Sequence, residues 1–326
     1  MSNLQKLTVL GGGVLGGQIA WHSAFKGKDV VVYDVDAEAI ARCQGAHKHY
    51  ADIYRADLGA NDADLSETEA RLSYTTDLKA AVAQADFVIE AVPEVVEVKN
   101  ALYSEMADLL PEHTLVATNS STMLPRVFAD VTGRPDRYCA LHFANLIWLM
   151  NMAEVMAHPT TSDETLTEVT EFAIEIGMVP IAVRKEQPAY VMNTLNGALA
   201  YAAQSLVTNG VSTPEDVDRV YMKMNPGASA GPFGMLDIVG MRTVHNIFRS
   251  PWSEQNGDPR QMKANAEYIK TNFLDSGRLG LETGSGYYNY PDPAFQQPGF
   301  LDVPDVSSVA DFVASVSPGE GWAQEH

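Results

Sequence analysis

Through residues 1–186 the chain alternates short apolar runs with longer amphipathic segments, and past Gln187-Pro188 the pattern becomes helical. Lys6 to Leu10 and Asp29 to Tyr33 read as buried strands, with a helix over Gly17 to Phe25 between them. Ala37 to Ala70 is polar and helical, broken at Leu58-Gly59-Ala60-Asn61-Asp62. Asp86 to Val92 (DFVIEAV) is a continuous apolar run that fits a central parallel strand, and Pro93 ends it. Val98 to Leu110 forms the next helix. Leu115 to Thr118, Tyr138 to Phe143, Met152 to Ala157 and Pro180 to Arg184 are further short strands. Between the last two, Asp163 is the expected cap of a helix with Leu166, Val169, Ala173 and Ile176 on one face, closed by Gly177.

Beyond Pro188 the spacing of Val191, Leu195, Ala198, Leu199, Ala202 and Leu206 predicts a helix to Thr208, with Gly210 as its stop. Thr213 and Pro214 sit as N-cap and first residue of another. Gly227 to Gly240 is punctuated by glycine, more helix follows through Ile247 and Tyr268, and the chain turns at Gly280 to Tyr288. From Pro291 an extended tail is expected, with Val309 to Val313 as a short docking helix. The predicted fold is therefore α/β: a Rossmann-type, mostly parallel sheet domain over 1–187, an all-α domain over 188–290, and a tail over 291–326.

Composition narrows this picture. The chain has 326 residues, room for about two domains with their own cores. A net charge of −20 argues against nucleic acid or an anionic membrane surface as a partner. The only two cysteines, Cys43 and Cys139, lie far apart without a C-x-x-C, as in reduced thiols of a cytoplasmic protein. No Arg-rich leader or apolar run of membrane-spanning length is present, and no metal-ligand spacing occurs, so a cytoplasmic, metal-free protein is expected.

The first strand runs into Gly11-Gly12-Gly13-Val14-Leu15-Gly16, where Gly11, Gly13 and Gly16 give the G-x-G-x-x-G spacing. That spacing suits a tight turn, close approach of backbone to a pyrophosphate, and packing of helix on strand. The second strand ends on Asp34, eighteen residues after Gly16, placed to hydrogen-bond an adenosine ribose diol. Other polar candidates follow strands, where open α/β sheets put their ligands. They are Asn119-Ser120-Ser121-Thr122, then His142 and Asn145, then Glu154 inside a strand and Asn193 at the start of the helical domain.

These pieces together resemble the 3-hydroxyacyl-CoA dehydrogenase family: VLGGGVLGGQIA, VIEAVPEVVEVK, ATNSST, LHFAN, AEVM, PAYVMN, GPFGMLDIVG and LGLETGSGYYNY occur in the family's order over residues 5–290. HFANLIW, AEVM and IGMVPI look closest to its diketoreductase branch, which reduces diketo esters and related dicarbonyl compounds. The resemblance implies NAD as cofactor, held by Gly11, Gly13, Val14, Leu15, Gly16 and Asp34. Glu94, Lys99, Asn119 and Asn145 would surround its nicotinamide half. It implies His142 as general acid/base oriented by Glu154, Ser121 and Asn193 as donors to the substrate oxygen, and a homodimer through the helical domain.

Departures from the family pattern bear on the substrate. The usual H-F-F-N-P is His142-Phe143-Ala144-Asn145-Leu146, and the usual P-G-F-x-x-N-R is Pro188-Ala189-Tyr190-Val191-Met192-Asn193-Thr194. A lysine before the closing T-G-x-G is Glu282. The arm expected to meet coenzyme A, Tyr54 to Asp64, carries Arg55 against three aspartates. Two enzyme readings therefore stand, a dehydrogenase of 3-hydroxyacyl-CoA type and a reductase of non-CoA diketo esters or free hydroxy acids. A catalytically silent NAD-binding relative is a third.

Overall fold

The computed structural model describes residues 2–195, 198, 224, 225, 237, 240–249, 259–293, 297, 298 and 305–317. Contacts divide the chain into two units, one of residues 1–200 with 303–326 and one of residues 201–302.

The larger unit is built on one eight-stranded sheet. Its strands are β1 (Lys6–Leu10), β2 (Asp29–Tyr33), β3 (Leu72–Thr75), β4 (Phe87–Glu90), β5 (Leu115–Thr118), β6 (Tyr138–Phe143), β7 (Met152–Met156) and β8 (Val179–Val183), in spatial order β3-β2-β1-β4-β5-β6-β7-β8. All neighbours run parallel except β6 and β7. The order reverses between β1 and β4, and the first crossover, helix α1 (Val14–Phe25), starts there. Such a reversal leaves a crevice at the carboxyl ends of the strands. The β strands expected from the sequence are present to within a residue or two at each end.

The helices include α2 (Ala37–Leu58), α3 (Asp62–Ala70), α4 (Leu78–Val82), α5 (Val96–Ala107) and α6 (Asp163–Glu175). Asp36 caps α2, its carboxylate accepting from Ala39 N, and Gly59 stops it at φ +68°. Asn61 and Asp64 then form a reciprocal capping box that opens α3, so the break between them is a tight corner. Helix α5 runs Val96–Ala107 where Val98 to Leu110 was expected, and three further details differ. Helix α1 begins at Val14, ahead of Gly17, with Gly13 as its N-cap. Ser162, not Asp163, caps α6, because its hydroxyl reaches Thr165 N at 3.1 Å. Strand β3 and the single turn α4 were not foreseen; β3 is half-exposed at the sheet edge, and so lacks an apolar signature.

Both faces of the sheet are covered. Trp21, Tyr54, Phe87, Leu141 and Phe172 belong to one core, and Tyr103, Met106, Phe128 and Tyr138 to the other. A last helix, α9 (Val309–Val316), packs on α6 and adds Val309 and Val313 to the first core.

The smaller unit is helical where described, with α7 (Met241–Phe248) and α8 (Pro259–Ile269) running into a π-helical turn at Lys270–Leu274. Met241, Val244, Ile269 and Phe273 pack together. Buried Asp237 accepts from the backbone N–H of Tyr287 and Tyr288 at 2.8 Å each, tying down the closing loop. The helices expected beyond Leu195, at Thr213, and most of Gly227 to Gly240 lie outside the described residues.

Candidate active site

The glycine turn joins β1 to α1. Gly11 takes φ +105°, and a Cβ there would lie 2.6 Å from the carbonyl oxygen of Ala91. A Cβ at Gly16 would collide with the carbonyl oxygen of Gly11, so these two glycines let helix and strands close on one another. At Gly13 a Cβ would meet no protein atom within 4 Å. That open side faces a cavity of about 780 Å³ lined by Gly11, Gly12, Gly13, Asp34, Ala91 and Val92, among others. Val14 is exposed at the helix start and Leu15 half-buried behind it. Asp34 is pinned at the cavity wall, one carboxylate oxygen accepting from Gly12 N at 2.9 Å and the other from Val35 N at 2.8 Å. An open glycine turn, a helix N-terminus and a fixed acid beside them fit the diphosphate and ribose of a dinucleotide.

At the ends of β4 and β5 lies a buried ionic network. Glu90 and Lys99 are almost wholly enclosed, with Lys99 Nζ 2.6 Å from Glu90 and 3.2 Å from Glu94. Tyr103 and Thr118 donate to the second Glu90 oxygen at 2.8 and 2.7 Å. Glu94 accepts from Ser120 Oγ, from the N–H groups of Ser121 and Thr122, and from Thr122 Oγ1 at 2.5–3.0 Å. Burial alone would raise its carboxyl, but the Ser120 hydrogen bond, the Lys99 charge and the Thr122 donors prevail and bring it down to about 2. Glu94 is thus an anion that holds the loop carrying Ser121. Asn119 is committed as well, its side-chain oxygen accepting from Phe143 N at 2.9 Å.

The antiparallel pair β6–β7 sets the most specific contact. His142 and Glu154 are directly opposite in its register, so their side chains leave the same face. His142 Nδ1 lies 2.8 Å from Glu154 Oε2, and both side chains are 2 % exposed. Glu154 Oε1 accepts from the N–H groups of Val191 and Met192 at 2.8 and 2.9 Å. Glu154 is thus the acceptor at the centre of three contacts, and with Nδ1 turned onto it, Nε2 is the imidazole nitrogen that faces away from the carboxylate. Nε2 is then free to exchange a proton, and it lies 3.2 Å from Ser121 Oγ. Ser121, His142 and Glu154 therefore form a continuous line. Asn193 is half-buried, directly after Met192, and Asn145 is exposed in the loop that follows β6.

Several residues at the site escape a reading of the sequence. Glu90 had a visible signal, one acid inside the otherwise apolar DFVIEAV. Tyr190 had none: its ring lies 4.7 Å from that of His142, and it and Ala189 take φ of +52° and +66°. Gln18 accepts from Leu146 N at 2.8 Å, and Trp148 Nε1 donates to Asp57 at 2.8 Å, so the loop after His142 is fastened to α1 and α2. Among the described residues no group of three His, Cys, Asp or Glu could hold a metal ion, and no helix is long and apolar enough to cross a membrane.

Residues 6–187 match the NAD-binding domain of 3-hydroxyacyl-CoA dehydrogenase and residues 190–290 its C-terminal domain. The chain belongs to the 3-hydroxyacyl-CoA dehydrogenase family. It is 31 % identical over 292 residues to the mitochondrial hydroxyacyl-coenzyme A dehydrogenase of Rattus norvegicus, covering 88 % of this chain and 91 % of the relative. It is likewise 31 % identical over 287 residues to a probable 3-hydroxybutyryl-CoA dehydrogenase of Deinococcus radiodurans, covering 87 % of this chain and all of that one. Among solved structures, a diketoreductase described as acting on dicarbonyl compounds matches at 41 % identity with a TM-score of 0.66, over 89 % of this chain and 100 % of that one. The (S)-3-hydroxybutyryl-CoA dehydrogenase of Ralstonia eutropha matches at 26 % and 0.64 over the same shares. Within this family the cofactor is NAD and the reaction is dehydrogenation at a CH–OH group. The glycine turn, the open cavity and Asp34 fit that cofactor.

Proposed function

We propose that His142 is the general acid/base of an NAD(H)-dependent dehydrogenase that interconverts a 3-hydroxyacyl compound and its 3-oxo form, with Glu154 as its partner. The observation that carries this reading is the His142–Glu154 contact at 2.8 Å, with Glu154 held by two backbone N–H groups. Bound at the glycine turn, NAD would supply the hydride acceptor, and NADH the hydride donor, for the carbon that bears the hydroxyl. The oxygen of that carbon must lose or gain a proton as the hydride moves, and His142 Nε2 exchanges it. The Glu154 carboxylate fixes the tautomer and stabilises the imidazolium. Ser121 and Asn193 polarise the carbonyl as neutral donors that do not compete for the proton. Gly11, Gly13, Val14, Leu15, Gly16 and Asp34 bind the adenosine and diphosphate half. Glu94, Lys99, Asn119 and Asn145 serve the nicotinamide half, Lys99 acting through Glu94.

The resemblance to the dehydrogenases of acyl-CoA thioesters supports a 3-hydroxyacyl-CoA substrate. Reduction of smaller dicarbonyl compounds is a second reading, favoured by the 41 % identity to the diketoreductase. The α2–α3 arm supports it too. Between Tyr54 and Asp64 the one cation, Arg55, is engaged by Asp52 at 3.0 Å and by Asp62 at 2.9 Å, beside Asp57 and Asp64, a poor setting for coenzyme A phosphates. Following NADH absorbance with acetoacetyl-CoA and then with a free diketo ester separates the two. Turnover of the thioester alone supports the first, and turnover of the ester alone the second. Neither substrate turning over overturns the assignment. A homodimeric, cytoplasmic enzyme without nucleic-acid or membrane partners completes the proposal.

A further inference from the structure

The cavity beside the glycine turn holds one cation that the established cofactor does not require. Arg42 lines it together with Asp34, Asp36, Ala39 and Glu105. It lies on α2 one turn beyond Ala39, and it shares the cavity wall with Asp34. The acids around it are unequal. Asp36 is used as the helix cap, and both oxygens of Asp34 are occupied by backbone N–H groups. The ion partner of Arg42 is Glu38 at 3.8 Å, with the two side chains 68 % and 91 % exposed, a contact too long and too wet to hold the guanidinium.

We propose that Arg42 is a latent receptor for a 2′-phosphate, and that Asp34 alone bars a 2′-phosphorylated dinucleotide from this site. The inference rests on the NAD reading of the cavity. With NADH bound, Asp34 takes the ribose diol and Arg42 keeps only its long, exposed contact with Glu38. With a 2′-phosphate present, Asp34 repels it at the same place, and that repulsion outweighs what Arg42 can return. Removing the Asp34 charge leaves a guanidinium fork near a dianionic phosphate, a geometry suited to paired hydrogen bonds.

The test compares kcat/KM for NADPH in the wild type, Asp34→Ser, and Asp34→Ser with Arg42→Ala. Asp34→Ser should raise NADPH use by about tenfold or more, the effect of one charge-assisted hydrogen bond gained without repulsion, and Arg42→Ala should cancel that rise. No rise in Asp34→Ser, or a rise that survives Arg42→Ala, overturns the proposal. A second measurement does not depend on the Asp34 variant folding. Adenosine 2′,5′-bisphosphate and 5′-AMP are titrated as competitors of NADH in wild type and Arg42→Ala. The bisphosphate should lose about threefold or more in affinity, and more than 5′-AMP loses. Equal losses would mean that Arg42 only covers the adenine, and would overturn the proposal. If wild-type protein failed to bind NADH at all, the dinucleotide reading itself would fall instead.

Discussion

Ala189 and Tyr190 sit consecutively at positive φ without being glycine, a conformation that costs an L-residue roughly 1–2 kcal/mol. Their strain is tied to function, since the next two N–H groups, of Val191 and Met192, are the ones turned onto Glu154. Ala189→Gly should therefore stabilise the protein. The relieved strain offsets the extra freedom of glycine in the unfolded chain, about 0.4–1 kcal/mol, and the net gain is up to about 1.6 kcal/mol. A urea midpoint that moved downward would contradict this. His142→Ala and Glu154→Gln should each lower turnover while leaving NADH binding intact. The histidine change removes the proton carrier, a loss on the order of 10²–10⁴-fold. The glutamine leaves the imidazole but frees its tautomer, and a comparable loss is expected. Steady-state rates beside an NADH titration check both; near-normal turnover in either variant would refute the pair.

Helices α1 and α2 meet through two buried histidines that must stay neutral. His22 stands between Tyr54 OH at 2.7 Å and the Ile176 carbonyl at 2.8 Å, and His47 between Tyr74 OH at 2.6 Å and the Gly17 carbonyl at 2.9 Å. One nitrogen donates to the carbonyl while the other accepts from a tyrosine, an arrangement lost on protonation. Burial, the leading cause, pulls both down to about 4 from 6.5. The unfolded chain thus binds more protons than the native one between pH 6.5 and 4. Their stabilisation is complete above pH 6.5 and declines as pH falls toward 4, by up to about 1.4 kcal/mol per pH unit each. Glu94 adds a second decline from about pH 4.5 to 2. Urea midpoints measured from pH 7 to 4 should fall steadily, and less steeply in His47→Gln; a flat profile would show that the histidines do not carry it. At this scale much was legible in the sequence. Strands buried on both faces announce themselves as apolar runs, so β1, β2, β5 and β6 match expectation end for end. Edge strand β3 has one wet face and too few residues to show a period.

The whole molecule carries −20, and its α2–α3 arm presents Asp52, Asp57, Asp62 and Asp64 with Arg55 already paired. A coenzyme A ester brings phosphates toward that field. Repulsion lowers its encounter rate, and each absent charge-assisted hydrogen bond forfeits roughly 1.5–3 kcal/mol. Acetoacetyl-CoA should turn over with a high apparent KM that falls as salt is raised, whereas a neutral diketo ester should be indifferent to salt. A low KM insensitive to salt would restore an ordinary thioester site. Residue types in strand-end order made His142, Glu154 and Ser121 visible as candidates, because their contacts run through polar side chains that the sequence names directly. The parts that act through backbone stayed hidden. No residue type marks the N–H groups of Val191 and Met192, or the tie between Trp148 and Asp57.

His142 and Glu154 face each other across a hairpin whose connection, residues 144–151, lies wholly beyond the pair. Ladder hydrogen bonds set their separation, so the connection can be rebuilt without moving them, provided the register is kept. That connection presents Leu146, Leu149 and Met150 to solvent, and two fastenings hold it, at Gln18 and Asp57. In the proposed enzyme, proton exchange and the wall beside it are thereby carried by separable lengths of one hairpin. Grafting foreign 144–151 segments that retain Asn145 and Trp148 is then a route to new substrate repertoires, with the His142–Glu154 register left as it is.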